Sequence, residues 1–364
     1  MSIFLFIIIL AVLILAHEFG HFIAAKRAGI RVDEFGIGFP PRLWKKKIGE
    51  TTYSLNAFPV GGFVKIFGED PDEESMHGKD AKRSFVHTSK WIQAWVVGAG
   101  IIFNLLLAWI LISVGFMAGL PFSAEDEVYG SRVKGAVLTV TQVMPNSPAE
   151  AAGIKGGDRI LALYAGADVL ENPGVDSTQK FIGEHDELTF AYMREKEIRT
   201  VVMHPEEGVV SSRRAIGISL DNAGTLKLPV HEAVYAGALT TASFTWATLT
   251  GIIDFFKNIF VGQADFSEIS GPVGIVGIVG DASALGFVHL ISLVAIISIN
   301  LAVINLLPFP ALDGGRLFFI LIEAIKGSPI KPSITNTANG IGFILLILLM
   351  VVVTYSDIAK LIHG

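Results

Sequence analysis

Three polar residues lie close together in the first, otherwise uncharged segment of the chain. His17, Glu18 and His21 form the sequence H-E-F-G-H within residues 2–25. On a helix, positions i and i+4 share a face, so both imidazoles can bind one metal ion. Glu18 lies beside them, where its carboxylate can take a proton from a metal-bound water. Zinc suits this set, because it accepts imidazole and carboxylate ligands and keeps one coordination position for water.

The position of this pattern makes it specific. A charged residue at the centre of a membrane-spanning helix costs at least ~2.5 kcal/mol, and buried imidazoles need polar partners as well. A polar packing contact or a purely structural metal ion therefore explains the pattern poorly. Two histidines do not complete a zinc site, so a third ligand is expected from another apolar segment. The candidates in or beside such segments are Asp313, Glu323, Asp281, His289 and Asp357.

Asp313 is the strongest of these candidates. It follows the sequence INLLPFPAL, in which Pro308 and Pro310 interrupt a helix, and it precedes two glycines. Broken helices occur at membrane depth where the backbone lines a cavity. Taken alone, Asp313 has a simpler interpretation as a helix-capping residue in a turn.

The composition indicates a membrane protein. Of the 364 residues, 51% are hydrophobic and only 17% are charged, whereas soluble domains carry about 25% charged residues. The net charge of −6 does not favour nucleic acid as a partner. The chain has no cysteine, which excludes disulfides, thiolate catalysis and cysteine-built metal sites.

Four uncharged or nearly uncharged apolar segments are candidates for membrane spans, which need about 20 residues. Basic residues cluster in 26–90 and in 314–335, which predicts that both connections are cytoplasmic and that the N-terminus lies outside. Residues 231–262 are moderately apolar but carry charges, and we expect an interfacial or partly embedded amphipathic helix there. The four predicted spans lie in 2–25, 91–120, 285–309 and 341–355.

Two segments between the spans have the alternation of β-strands. In 32–68, prolines exclude a continuous helix, and short strand patterns flank Gly61 and Gly62, so an exposed edge strand is expected. Residues 121–230 are predicted to form an external, mostly β domain. It includes a hairpin of 188–194 and 198–203 with its turn at 195–197.

Two motifs together resemble the site-2 protease family of intramembrane zinc metalloproteases. They are HEFGH and Asn305–Gly314, which reads N-x-x-P-x-P-x-L-D-G. The external domain makes the bacterial RseP-type subgroup the most similar. The resemblance implies that His17, His21 and Asp313 bind Zn²⁺ and that Glu18 activates water. It also implies a single-pass transmembrane substrate, typically a pre-trimmed anti-sigma factor or a signal-peptide remnant.

The resemblance extends to residues that would contact or position the substrate. Asn300 and Asn305 resemble asparagines thought to hold the substrate backbone, although an interhelix hydrogen bond is an equally good explanation. AFPVGGFVKI (57–66) resembles the family's membrane-associated β-region, whose edge strand is proposed to pair with unwound substrate. This implies that Gly61, Gly62 and Phe63 bind substrate. GIIFN (100–104) resembles a G-x-x-x-N pattern, which we expect to pack its helix against the catalytic one.

SPAEAAGIKGGDRILAL (147–163) resembles a circularly permuted bacterial PDZ domain. Such a domain implies binding of a peptide or a substrate C-terminus, or exclusion of bulky substrates; a spacer without a ligand is the alternative. The glycines of SGPVGIVGIVG (270–280) predict close helix packing, with gating of substrate entry as the alternative.

These observations predict a multi-pass α-helical membrane protein with four transmembrane helices, a membrane-associated β-rich insert and one extracytoplasmic PDZ-like α+β domain. We expect it in the bacterial inner membrane, with the zinc site near the cytoplasmic face, the lipid bilayer as surroundings and no nucleic-acid partner. The predicted divisions are the first transmembrane helix with HExxH (1–30), the cytoplasmic-side insert (31–90), the second transmembrane helix (91–120), the PDZ-like domain (121–230), an amphipathic or re-entrant segment (231–283), the third transmembrane helix with the LDG motif (284–315), and a cytoplasmic connection with the fourth transmembrane helix (316–364).

The predicted function is regulated intramembrane proteolysis by a zinc metalloprotease with Glu18 as general base. One alternative is a catalytically inactive, zinc-containing PDZ membrane scaffold, but a structural site would not need Glu18. A zinc transporter is a second alternative. It would need more polar residues along its spans than this sequence offers.

Overall fold

The computed structural model describes residues 2–144, 146–194, 197–210, 213–262 and 271–363. The chain forms two compact units. One consists of Met1–Val114 with His231–Gly364, and the other of Gly115–Val230. The α-helices are α1 (Ser2–Arg27), α2 (Glu73–His77), α3 (Lys90–Ala118), α4 (Pro148–Ala151), α5 (Val175–Glu184), α6 (Val230–Val261), α7 (Pro272–Leu285), α8 (Phe287–Leu306), α9 (Asp313–Lys326) and α10 (Pro332–His363). The strands are β1 (Val32–Ile48), β2 (Thr51–Ile66), β3 (Leu120–Ser123), β4 (Lys134–Val143), β5 (Arg159–Ala165), β6 (Asp168–Glu171), β7 (Leu188–Arg194), β8 (Glu197–Met203), β9 (Glu206–Val210), β10 (Arg213–Ala215) and β11 (Ile218–Leu226).

Four helices of the described residues are long and apolar enough to cross a membrane. They are α1, α3, α8 and the part of α10 from Pro332 to Ala359. Each of them overlaps one of the four spans predicted from the sequence. The 32-residue helix α6 is not among them, and its interfacial position stays a prediction. Residues 263–270 of the predicted amphipathic segment lie outside the described residues.

The third span is shorter than the predicted division 284–315. Helix α8 ends at Leu306, and the LDG motif lies beyond it, with Asp313 as the first residue of α9. Placing that motif in the third transmembrane helix was therefore wrong. The cause is Pro308 and Pro310, which interrupt the helix. The predicted connection from residue 316 onward begins inside α9 instead of in an open loop.

The start of α9 lies unusually close to the end of α8. A Cβ atom at Gly314 would overlap the carbonyl oxygens of Leu306 and Leu307. A Cβ atom at Gly315 would lie 3.0 Å from Pro310 Cα. Since only glycine fits at these two positions, the chain can turn sharply and begin a new helix at Asp313.

The β-rich insert is an antiparallel sheet of β1 and β2 in which one segment has two neighbours. Residues 34–37 pair with 62–65 on one side and with 52–55 on the other. The second half of β1, 42–48, pairs with 51–56. In the pairing recorded for the described residues, 62–65 has a strand on one side only, so this segment is an edge of the sheet.

A buried apolar cluster attaches this sheet to the long apolar helices α1 and α3. Ala25 of α1, Val32 of β1, Ile66 of β2 and Val96 of α3 all belong to it and are almost completely buried. Burial of such side chains stabilises by about 25 cal/mol per Å² of apolar surface. The insert is therefore packed firmly against the helix that carries His17 and His21.

The unit Gly115–Val230 is built on a seven-stranded sheet in the order β3-β11-β4-β5-β7-β8, with β6 paired to β5. Its core includes Val140, Leu163, Leu188 and Phe190, which are fully buried. The strands β7 and β8 lie where the sequence predicted a hairpin, and they pair with each other. Residues 195–196 of the predicted hairpin turn lie outside the described residues.

Candidate metal and catalytic centre

Two histidines of α1 and the first residue of α9 bring three ligand atoms together. His17 Nε2 and His21 Nε2 are 3.2 Å apart. Asp313 Oδ2 is 3.0 Å from His17 Nε2 and 3.4 Å from His21 Nε2. Among the described residues, this is the one group of three His, Asp or Glu side chains with the spacing of a metal site.

The three atoms fit a zinc ion. Tetrahedral coordination with Zn–N and Zn–O bonds of about 2.0–2.1 Å places neighbouring ligand atoms about 3.4 Å apart. The separations of 3.0–3.4 Å come close to this value. Asp313 Oδ2 is also buried, and no hydrogen bond reaches it from the described part of the chain. A buried carboxylate oxygen without a donor is destabilising, and a bound cation would compensate for it.

The ring of His21 is oriented by helix α3. Its Nδ1 lies 2.9 Å from the carbonyl oxygen of Val96. Because a carbonyl only accepts, Nδ1 carries the proton and donates it, which leaves Nε2 free to bind a metal. The sequence analysis missed this contact, because nothing in the local pattern indicates which carbonyl of a distant helix faces the ring.

Helices α1 and α3 approach each other closely at the two histidines. A Cβ atom at Gly100 would overlap His21 Nε2 and would lie 2.7 Å from His17 Cε1. On the other helix, a Cβ atom at Gly20 would lie 2.8 Å from the carbonyl carbon of Ala99. The G-x-x-x-N sequence therefore places α3 directly against the ligand rings, closer than general helix packing requires.

A cavity of about 150 Å³ opens at the ligand atoms. Glu18 lines it, and Glu18 Cγ lies 3.5 Å from the position that a Cβ atom would take at Gly62. The edge strand of the insert is therefore next to the carboxylate proposed as a base. The lining residues are His17, Glu18, His21, Val64, Ile66, Glu69, Val96, Val97, Asp313 and Arg316.

The predicted substrate residues fall into two groups. Gly61, Gly62 and Phe63 lie in β2, where Phe63 covers Gly36. None of these three residues and neither of the two predicted asparagines is among the residues that line this cavity. Asn300 Oδ1 accepts a hydrogen bond of 3.3 Å from Thr248 of α6. Asn305 lies in the last turn of α8.

Two alternative third ligands have other partners. Glu323 forms an ion pair of 2.6 Å with Lys90. Asp357 accepts hydrogen bonds from the backbone N–H groups of Gly271 and Gly274 at the start of α7. Neither joins His17 and His21, and among the candidates from the sequence the group contains Asp313 alone.

Arg316 is a cavity residue that the sequence analysis missed. It lies one turn after Asp313 on α9 and binds both the carboxylate of Glu69 and, at 3.0 Å, its backbone carbonyl. Its guanidinium also lies 4.9 Å from the ring centre of Phe85. The spacing of three residues could have indicated that Arg316 shares a helix face with Asp313.

The chain is similar to a family of peptidases over most of its length. Residues 5–349 match the family described as Peptidase family M50. The Bacillus subtilis protein named "Regulator of sigma-W protease RasP" is 31% identical over 98% of this chain and 98% of its own. Proteins named "Zinc metalloprotease RasP" are 32% identical in Shouchella clausii and 30% identical in Bacillus licheniformis, each with 98% of both chains covered.

Proposed function

The chain belongs to peptidase family M50, and from this premise we propose that it performs regulated intramembrane proteolysis of single-pass membrane proteins. Together with its relatives, membership identifies a bacterial membrane protein that is a zinc metalloprotease with Zn²⁺ as its cofactor. The observation that supports the intramembrane step is the His17–His21–Asp313 group, two of whose ligands lie on a span-length apolar helix.

The proposed residue roles follow from the positions of the side chains. His17, His21 and Asp313 hold zinc, which when bound acidifies a water molecule and polarises the scissile carbonyl. Glu18 takes the proton from the attacking water and returns it to the nitrogen of the leaving amine. Because Glu18 lies between the ligand rings and the edge of β2, it is near both the water and a substrate placed along that edge.

We propose that the substrate binds as an added strand along residues 62–65. A helical substrate hides its carbonyls in its own hydrogen bonds, and an extended segment needs replacement partners. Val64 of this edge lines the cavity at the metal group, and Phe63, Val64 and Lys65 line a second cavity of about 340 Å³. Gly62 and Phe63 begin this edge, and Gly61 directly precedes it. Asn300 and Asn305 are proposed to support the substrate backbone after it has entered.

Substitution with proline tests the edge, because proline removes the backbone N–H group. We expect Val64→Pro or Lys65→Pro to reduce cleavage strongly while zinc content stays at the wild-type level. The control is Lys46→Pro in the segment 42–48, which lies at the other side of the insert sheet. Intact cleavage in a full series of proline variants across 62–65 would exclude strand addition at this edge.

The remaining parts of the proposal concern substrate and orientation. The name of the Bacillus subtilis relative refers to a sigma factor, which supports pre-trimmed anti-sigma factors as substrates, with signal-peptide remnants as a second class. We place residues 121–230 outside the cytoplasm as a PDZ-like domain that receives a substrate C-terminus or excludes bulky substrates. The basic residues of 26–90 support a zinc site near the cytoplasmic face.

The decisive experiment compares the wild type with Glu18→Gln in detergent, using a purified single-pass substrate and measuring zinc in both proteins. We expect both to hold zinc and only the wild type to cleave. If both hold zinc and neither cleaves any substrate of a panel, the zinc-containing scaffold becomes the better explanation. If neither holds zinc after gentle purification, the proposed ligand set is wrong.

A further inference from the structure

A buried amide on α3 lies beside the metal group without a complete set of partners. Asn104 is 1% exposed, and its Oδ1 has no hydrogen-bond partner within the described part of the chain. Its Nδ2 lies 3.4 Å from His17 Nδ1, the ring nitrogen that does not face Asp313. An apolar side chain would avoid leaving a buried polar atom unpaired, so the amide needs an explanation.

The ring proton of His17 must reside on different nitrogens in the metal-free and in the metal-bound site. With Nδ2 facing Nδ1, Nδ1 accepts and the ring proton resides on Nε2. When Nε2 binds a metal, the ring proton must reside on Nδ1, which then needs an acceptor. For His21 the carbonyl of Val96 is this acceptor. For His17, the polar group recorded at Nδ1 is the amide of Asn104.

We propose that Asn104 is a positioning residue for the metal, whose Oδ1 accepts the hydrogen bond of His17 Nδ1 when Nε2 is a ligand. A half-turn of the amide exchanges its oxygen and nitrogen at nearly the same positions, so no other atom has to move. This fixes the ring with Nε2 toward Asp313 and His21. The inference rests on His17 being a zinc ligand, as proposed above, and adds the group that orients it.

Zinc retention tests this role without relying on catalysis. We expect Asn104→Leu to release zinc to a competing chelator on the order of 10–100-fold faster than the wild type, as is typical when the partner of a metal-binding histidine is lost. Asn104→Asp offers an oxygen in either orientation, so it should retain zinc as the wild type does. With Co²⁺ in place of zinc, the absorption spectrum should change in Asn104→Leu and not in Asn104→Asp.

Ser298→Ala is the matched control. Ser298 Oγ donates to the backbone carbonyl of Asn104 at 2.8 Å, so its removal disturbs packing at the same residue and leaves the side-chain amide in place. We expect wild-type zinc release in this variant. If Asn104→Leu does not yield folded protein, the smaller Asn104→Ala gives the same comparison.

Two results would overturn the inference. One is wild-type zinc release in Asn104→Leu and Asn104→Ala. The other is equal loss of zinc in Asn104→Leu and Asn104→Asp, because size and packing would then matter and the acceptor would not. A His17→Ala reference separates this inference from the ligand assignment: if that variant retains zinc like the wild type, the proposed ligand set fails first.

Discussion

The close approach of α3 to the ligand rings gives a sharp prediction for Gly100→Ala. The added methyl group would overlap His21 Nε2 and lie 2.7 Å from His17 Cε1, whereas ordinary contacts start near 3.4 Å. One or both rings must therefore move by about an ångström, a displacement that can cost about 100-fold in catalysis. We expect cleavage to fall on the order of 100-fold and zinc release to a chelator to become faster.

Gly98→Ala is the control for this prediction, since it adds the same methyl group two residues earlier on the same helix. A Cβ atom at Gly98 has no other heavy atom within 4 Å. Alanine also favours helix by about 1 kcal/mol over glycine, so Gly98→Ala should leave activity unchanged and not lower the melting temperature. The assay measures cleavage rate, zinc release and melting temperature for both variants. Wild-type cleavage and zinc release in Gly100→Ala would refute the inferred contact between α3 and the rings.

Three further predictions concern polar contacts away from the ligand rings. Arg316→Gln removes the ion pair to the loop after β2. It should lower cleavage with little loss of zinc, as measured by parallel kinetic and metal assays. Asp158, which is 1% exposed, forms an ion pair with an arginine of β7, and Asp158→Asn removes the negative charge of this pair. We expect the unfolding free energy of the unit Gly115–Val230 to fall by about 3–5 kcal/mol, as measured by denaturant titration. The pKa of His185 is raised by the backbone carbonyl of Phe181 and by Asp168, so it stabilises the fold below pH 6.5 and this contribution disappears as the pH rises through the elevated pKa. Thermal unfolding of wild type and His185→Gln on both sides of that pH should therefore differ most in acid.

The sequence alone predicts those features whose deciding residues lie close together in the chain. His17, Glu18 and His21 follow from one helical turn, and the prolines before Asp313 indicate a broken helix without any knowledge of the fold. The same holds for the four spans, because length and apolar composition decide them. The third span was predicted to extend too far because the apolar run continues past Leu306, although Pro308 and Pro310 already indicate the break.

What the sequence could not provide are contacts between distant segments. The acceptor for His21 is the Val96 carbonyl, 75 residues away, and every residue has a carbonyl. Arg316 reads as a basic residue of a cytoplasmic connection until Glu69 is found against it. The two-sided pairing of 34–37 likewise depends on two segments of β2 lying on either side of it, which no alternation pattern encodes.

The helix α9 links the metal group to the edge strand within a single turn. Asp313 is held from one side by the contact of Gly314 with the last carbonyls of α8. From the other side, Arg316 binds the side chain and the backbone of Glu69, three residues after β2 ends. The first turn of α9 therefore carries Asp313 and, through Arg316, also contacts the segment that directly follows the edge strand. If the substrate binds along that edge as proposed, its position relative to the metal would be set by this turn, and the choice of the scissile bond would then depend on α9 as well as on the substrate sequence.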